Sequence, residues 1–205
     1  MITEVISIDH PDALTRALVV LQNNGLIAFP TDTVYGLAAA TFSESAIELL
    51  FNAKGRDSAK AIAVLVGHVD QLSLLTMGLT VPARRLAERF WPGALTLVVP
   101  KHPALPENLS SYPTVGVRMP DHPFALALLQ KVGPLATTSA NLSGGANASS
   151  PSEVLAQLDG RFHLLLDGGI CPGGIPSTVV DCTQDPPVIL RQGAISALEI
   201  FTSAS

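Results

Sequence analysis

Apolar and polar positions change rhythm repeatedly along this chain, between the period of two expected of a strand and the spacing of three to four expected of a helix face. Val5 to Ile8 alternates as a short strand, and Pro11 opens a helix to about Asn23, with Gly25 beyond its end. Leu26 to Phe29 forms the next strand and runs into the polar, glycine-closed segment Pro30-Thr31-Asp32-Thr33-Val34-Tyr35-Gly36. A helix with Ile47, Leu50 and Phe51 on its apolar face follows and ends at Lys54-Gly55-Arg56. Ala61 to Val66 is almost unbroken in its apolar character, as in a strand covered on both faces. Pro82 to Phe90 reads as a helix stopped by Trp91-Pro92-Gly93, and Leu95 to Val99 and Val115 to Arg118 read as strands. Phe124 to Lys131 is helical, and Leu135 to Thr137 leads into Ser139-Ala140-Asn141-Leu142-Ser143-Gly144-Gly145. Ser150-Pro151-Ser152-Glu153 has the form of a capping box, which predicts a helix to about Leu158. Leu164 to Leu166, Thr178 to Asp181 and Val188 to Leu190 complete the strands.

This alternation of helices and strands predicts an α/β fold, and the close spacing of the late strands predicts some antiparallel pairing. A chain of 205 residues fits one domain, residues 1–205 with a core of about 8–196. Hydrophobic residues at 47% against 14% charged exclude a disordered, highly charged chain. No apolar run approaches the roughly 20 residues of a membrane-spanning helix, and Met1-Ile2-Thr3-Glu4 carries no basic or apolar export signal. A cytoplasmic protein without membrane attachment is expected. Cys171 and Cys182 are too few for a disulfide framework and read as free, packed thiols. A net charge of −5 argues against a general nucleic-acid coat, so the few basic residues become individually informative.

Ligands of open α/β sheets bind outside the carboxyl ends of strands, where the Thr31–Tyr35 and Ser139–Gly145 segments would form two walls of one site. Lys54 and Arg56 flank a glycine, so that both could converge on an anion; a helix end favouring cations through its dipole is the alternative. Ser139, Asn141 and Ser143, backed by Gly144 and Gly145, could cradle phosphates without a Walker A sequence, or form an ordinary solvated turn. Arg118 and Arg191 each close an apolar strand, where a buried guanidinium needs an anion; Asp121 and Asp181 are possible partners. The stretch Ser143 to Ser150 reads as a mobile loop. The five histidines lack metal-site spacing and read as surface or capping residues, and no nucleophile elbow is present.

Pro30-Thr31-Asp32-Thr33-Val34-Tyr35-Gly36-Leu37, Lys54-Gly55-Arg56, Ser139-Ala140-Asn141-Leu142-Ser143-Gly144, Ser177-Thr178-Val179-Val180-Asp181 and Arg191-Gln192-Gly193 occur in one order. As an ordered set, from about Ile8 to Ser196, they resemble the threonylcarbamoyl-AMP synthase family, known by its YrdC and Sua5 members. The resemblance implies a twisted, mixed parallel and antiparallel sheet with flanking helices around a deep cavity that holds ATP and L-threonine side by side. It implies Thr33, Arg118, Thr137 and Ser177 on the threonine side. For ATP it implies Arg56, Lys60, Thr114, Ser139, Asn141, Asn147 and Arg191, with Lys54, Arg56, Ser139 and Asn141 as the catalytic set. The implied reaction joins threonine, bicarbonate and ATP into L-threonylcarbamoyladenylate and pyrophosphate, for N6-threonylcarbamoyladenosine at tRNA position 37. Mg²⁺ is expected on the phosphates, held by phosphate oxygens and water, with no metal site of the protein's own and no organic cofactor. Downstream threonylcarbamoyl-transferase proteins are the implied partners, with weak direct tRNA contact at most. Leu65 stands where many members have a histidine, and Lys60-Ala61-Ile62 replaces a more usual Pro-Leu pairing. The extra C-terminal domain of longer Sua5-type members is expected to be absent. The competing reading is a paralogue without synthase chemistry, acting as an RNA-binding or ribosome-assembly module.

Overall fold

The computed structural model describes residues 2–57 and 59–204. In chain order the first elements are β1 (Glu4–Ser7), α1 (Ala13–Gln22), β2 (Ile27–Phe29), β3 (Gly36–Ala40), α2 (Glu44–Lys54) and β4 (Ala63–Leu65). They are followed by α3 (Val81–Phe90), β5 (Leu95–Pro100), β6 (Thr114–Arg118), α4 (Pro123–Val132) and β7 (Leu135–Ser139). The last are α5 (Pro151–Leu158), β8 (Leu164–Asp167), β9 (Thr178–Asp181), β10 (Val188–Arg191) and α6 (Ala197–Ala204). All strands join one sheet in the order β1-β8-β2-β3-β7-β4-β6-β5-β9-β10. Pairing is parallel in β1/β8, β2/β8, β4/β6 and β5/β9, and antiparallel elsewhere, including the late hairpin β9/β10.

Side chains alternate across a strand, and that period of two divides the interior into two layers. Leu26, Ala28, Leu37, Ala39, Val64, Ala136 and Leu165 face the larger core, with α2, α3, α5 and α6 packed on it. Their chain neighbours Ile27, Phe29, Ala38, Leu65, Leu135, Leu164 and Leu166 face the other side, where α1 and α4 lie. Toward the β5–β10 end the pattern persists on one side only. Leu97, Val117 and Val180 enter the larger core, while Thr96, Val98, Gly116, Arg118 and Val179 look into a cavity of about 370 Å³. Ala63 of β4 also lines this cavity, so β4 is not covered by packing on both faces along its length as its apolar run had suggested.

Local chemistry explains the helix ends. Ser43, Thr80 and Ser150 accept backbone N–H groups at the starts of α2, α3 and α5, and Ser150 with Glu153 forms the full capping box. The Nδ1 atoms of His10, His68, His102 and His122 each accept a local backbone N–H, the capping and surface role expected of them, whereas the half-buried His163 accepts Leu26 N–H across the fold. Both cysteines are free and buried. No helix among the described residues is long and apolar enough to cross a membrane.

Candidate functional site

The cavity is built where two polar segments are brought together by strand pairing. Gly36 stands opposite Ser139 in the β3/β7 ladder, and Ala140 N donates to Tyr35 O at 2.8 Å, so the Thr31–Gly36 turn and the end of β7 form one wall. Thr31 holds the turn: its hydroxyl donates to Val34 O and accepts the N–H groups of Thr33 and Val34. Tyr35 is fully buried and its hydroxyl donates to Gly169 O while accepting Gly168 N–H, which ties the turn to the end of β8. Burial raises this phenol to about 12, so it remains a neutral donor.

Three arginines surround the space. Arg118, 6% exposed, donates Nε to Gly93 O at 2.9 Å, one Nη to Thr33 Oγ1 at 2.9 Å and the other to Asp32 Oδ1 at 2.5 Å. Burial lowers its pKa and the Asp32 charge opposes that shift. Its carboxylate partner is therefore Asp32, rather than Asp121. Arg191 donates to Ser177 O and to Ser177 Oγ, and Ser177 Oγ in turn lies 2.8 Å from Thr96 Oγ1. Asp181 instead accepts from Thr183 and Gln184. Arg56 donates to the carbonyls of Lys60 and Ala61. Among the described residues Arg56 and Arg191 thus donate to neutral oxygens only, and burial lowers both, with Arg191 adding to the effect on Arg56. Two cations that repel one another across a concave, partly desolvated surface favour an anionic occupant.

Of the residues implied by resemblance, Thr33, Arg56, Arg118, Thr137, Ser139, Asn147, Ser177 and Arg191 line this one cavity. Lys54, Lys60, Thr114 and Asn141 are outside its lining. Lys54 and Arg56 do not converge. Gly55 takes φ 58°, a left-handed turn that ends α2 and sends the two side chains apart. Lys54 turns inward to the carbonyls of Ser139 and Asn141. Asn141 is 5% exposed and spends its amide N–H groups on Leu142 O and Gly145 O, so it braces its own loop. Asp32, Tyr35 and Thr96 also shape the site; the first two belong to the Thr31–Tyr35 wall read from the sequence, whereas Thr96, within an apolar strand, offered no signal. The cavity lies against the sheet face, with strand-end loops as its rim.

The cavity lining carries no carboxylate, and among the described residues no group of three His, Cys, Asp or Glu could hold a metal ion. The polar lining consists of hydroxyls, an amide and guanidinium groups, a set that suits an anion better than a bare divalent cation.

The Sua5/YciO/YrdC family model, described as telomere recombination, matches residues 19–193. A Bacillus subtilis protein named threonylcarbamoyl-AMP synthase is 42% identical over 202 residues, covering 97% of this chain and 58% of the relative. The crystal structure of Pyrococcus abyssi Sua5 complexed with L-threonine superposes with a TM-score of 0.91 at 37% identity, over 98% of this chain and 60% of that one. Escherichia coli YciO superposes with a TM-score of 0.85 at 27% identity, over 97% of this chain and 98% of that one. The chain thus spans little more than half the length of the first two.

Proposed function

Because the chain belongs to the Sua5/YciO/YrdC family, we propose that it is a threonylcarbamoyl-AMP synthase, a nucleotidyltransferase acting on L-threonine, bicarbonate and ATP. The observation that carries this reading is the shared cavity, whose lining holds carboxylate-paired Arg118 together with Arg56 and Arg191, which have no carboxylate partner among the described residues. Thr33, Arg118, Thr137 and Ser177 take threonine, while Arg56, Ser139, Asn147 and Arg191 take ATP. Lys60 and Thr114, outside the lining, are assigned to the nucleotide only through larger ligand reach beyond the cavity mouth.

The amine of threonine adds to the carbon of bicarbonate, and loss of water leaves a carbamate. A carbamate oxygen then forms a bond to the α-phosphorus as the bond to the bridging oxygen breaks, and pyrophosphate departs with that electron pair. The residues available for this are cations and neutral donors, so the chain contributes neutralisation and positioning. Arg56 and Arg191 offset the phosphate charge, and the Arg118 guanidinium, fixed by Asp32, Thr33 and Gly93, orients the amino-acid carboxylate. Mg²⁺ enters as part of the nucleotide substrate. Release of the adenylate to a cytoplasmic threonylcarbamoyl-transferase for tRNA modification completes the proposal.

The test is pyrophosphate release from four mixtures: complete, without threonine, without bicarbonate, and complete with tRNA. Release should need threonine and bicarbonate together and be indifferent to tRNA, with threonylcarbamoyl-AMP detected by mass. Equal release without threonine would mean a simple ATPase, and strong dependence on tRNA would favour an RNA-directed module.

A further inference from the structure

Lys54 has the chemical character of a catalytic cation and the position of a brace. It is the last residue of α2, is 2% exposed, and does not line the cavity. An ammonium has three N–H donors. Two of them go to the carbonyls of Ser139 and Asn141, each at 2.5 Å. The backbone of the same residue takes part as well, since Ser143 N donates to Lys54 O at 3.0 Å. The end of α2 is thereby stitched to the segment after β7 at three points.

The peptide joining Ser139 to Ala140 is the centre of this arrangement. In a planar trans peptide the C=O and N–H point in opposite directions. Here the C=O meets Lys54 Nζ while the N–H meets Tyr35 O, so both ends of one rigid unit are held. Asn141 closes the following turn from the other side through its bonds to Leu142 O and Gly145 O. What reaches the cavity from this assembly is Ser139.

We propose that Lys54 is a positioning residue, which sets the Ser139–Asn141 turn and so aims Ser139 into the cavity without itself touching the nucleotide. This rests on the nucleotide being held on the Arg56, Ser139 and Arg191 side. Burial, and after it the charge of Arg56, lowers Lys54 to about 8; the ammonium therefore prevails at neutral pH, and even the neutral amine keeps two N–H donors for the two carbonyls.

The experiment separates a brace from a charge by comparing Lys54→Met, which removes both, with Lys54→Gln, which keeps two N–H donors. Amide hydrogen exchange on the nucleotide-free protein reads the turn directly and needs no turnover. Lys54→Met should raise exchange at residues 139–143 by about tenfold or more while leaving α4 unchanged, and Lys54→Gln should retain most of the protection. In steady-state assays Lys54→Met should raise the KM for ATP about tenfold with a much smaller effect on kcat, and Lys54→Gln should recover part of that loss. Native exchange at 139–143 in Lys54→Met would overturn the proposal. So would an equal collapse of kcat in both variants with the turn intact, since charge on the substrate would then be what matters. Should Lys54→Met fail to fold, Lys54→Gln decides by the same two readouts. If wild-type protein releases no pyrophosphate, the enzyme reading fails, while the exchange comparison still decides the brace.

Discussion

Arg118 is the residue on which the amino-acid side of the cavity turns, and its environment sets what a substitution nearby must cost. Its guanidinium is buried and its only carboxylate partner among the described residues is Asp32. Breaking a buried pair from one side leaves an uncompensated charge, which costs about 3–5 kcal/mol. Asp32→Ala should therefore lower the unfolding free energy measured in urea by that amount, whereas Asp32→Asn, which retains an acceptor, should lose less; equal midpoints for wild type and Asp32→Ala would show the guanidinium finding another anion. The sequence displayed Arg118 as a strand-closing cation in need of a partner, but nearness in sequence pointed to Asp121. The true partner is 86 residues away: β3, β7 and β4 stand between β2 and β6 in the sheet, yet the turn after β2 reaches across to Arg118 directly. The opposite fate of Lys54 and Arg56 was equally out of reach: spacing puts two cations on one bend, and only the left-handed Gly55 reveals that they leave it in different directions.

At the level of elements, most helices and strands were legible from apolar rhythm and caps, and those that were not share a physical reason. β3 reads Gly-Leu-Ala-Ala-Ala, with none of the β-branched residues that mark strands, yet it is buried in the middle of the sheet. The final helix α6 has exposed Leu198 and Phe201 and buries Ile200 and Ala204, so its apolar stripe is blurred. Its Ser196 and Glu199 repeat the capping pattern that marked α5. The hairpin of β9 and β10 supplies another prediction. A Cβ placed on Gly193 would lie 2.3–2.5 Å from backbone atoms of Pro176, Ser177 and Thr178, which are not free to yield. Gly193→Ala should push the end of β10 away from β9 and displace Arg191 from Ser177. The expected outcome is a KM for ATP raised by about tenfold or more, with the threonine KM less affected. Matching increases for both substrates would mean that the hairpin moves as a whole.

For the whole molecule, the proton held by Lys54 links the brace to stability. Its folded pKa of about 8 lies below the ordinary lysine value of 10.5, so between these the unfolded chain binds more protons and stability rises with pH. Tyr35 and Cys182, both raised to about 12 from 10.0 and 9.0, act the other way, losing stability as pH climbs above those starting values. Between pH 8 and 9 the gain from Lys54 is opposed only in part by Cys182 and Cys171, whose thiols burial also raises from 9.0. The unfolding free energy of wild type should climb across that interval, and in Lys54→Met the climb should vanish; parallel curves would place the titrating proton elsewhere.

The place of β8 in the sheet has a consequence for how the molecule is made. β1 and β2 are near neighbours in sequence and precede β8 in the chain, yet each lies beside β8 and neither beside the other. The strand that lies between them begins at Leu164, so the pairing of β1 and of one edge of β2 waits on a segment far along the chain. Closing contacts of such sequence separation are entropically late events. Until β8 docks, the edges of β1 and β2 that it covers are open to wrong partners.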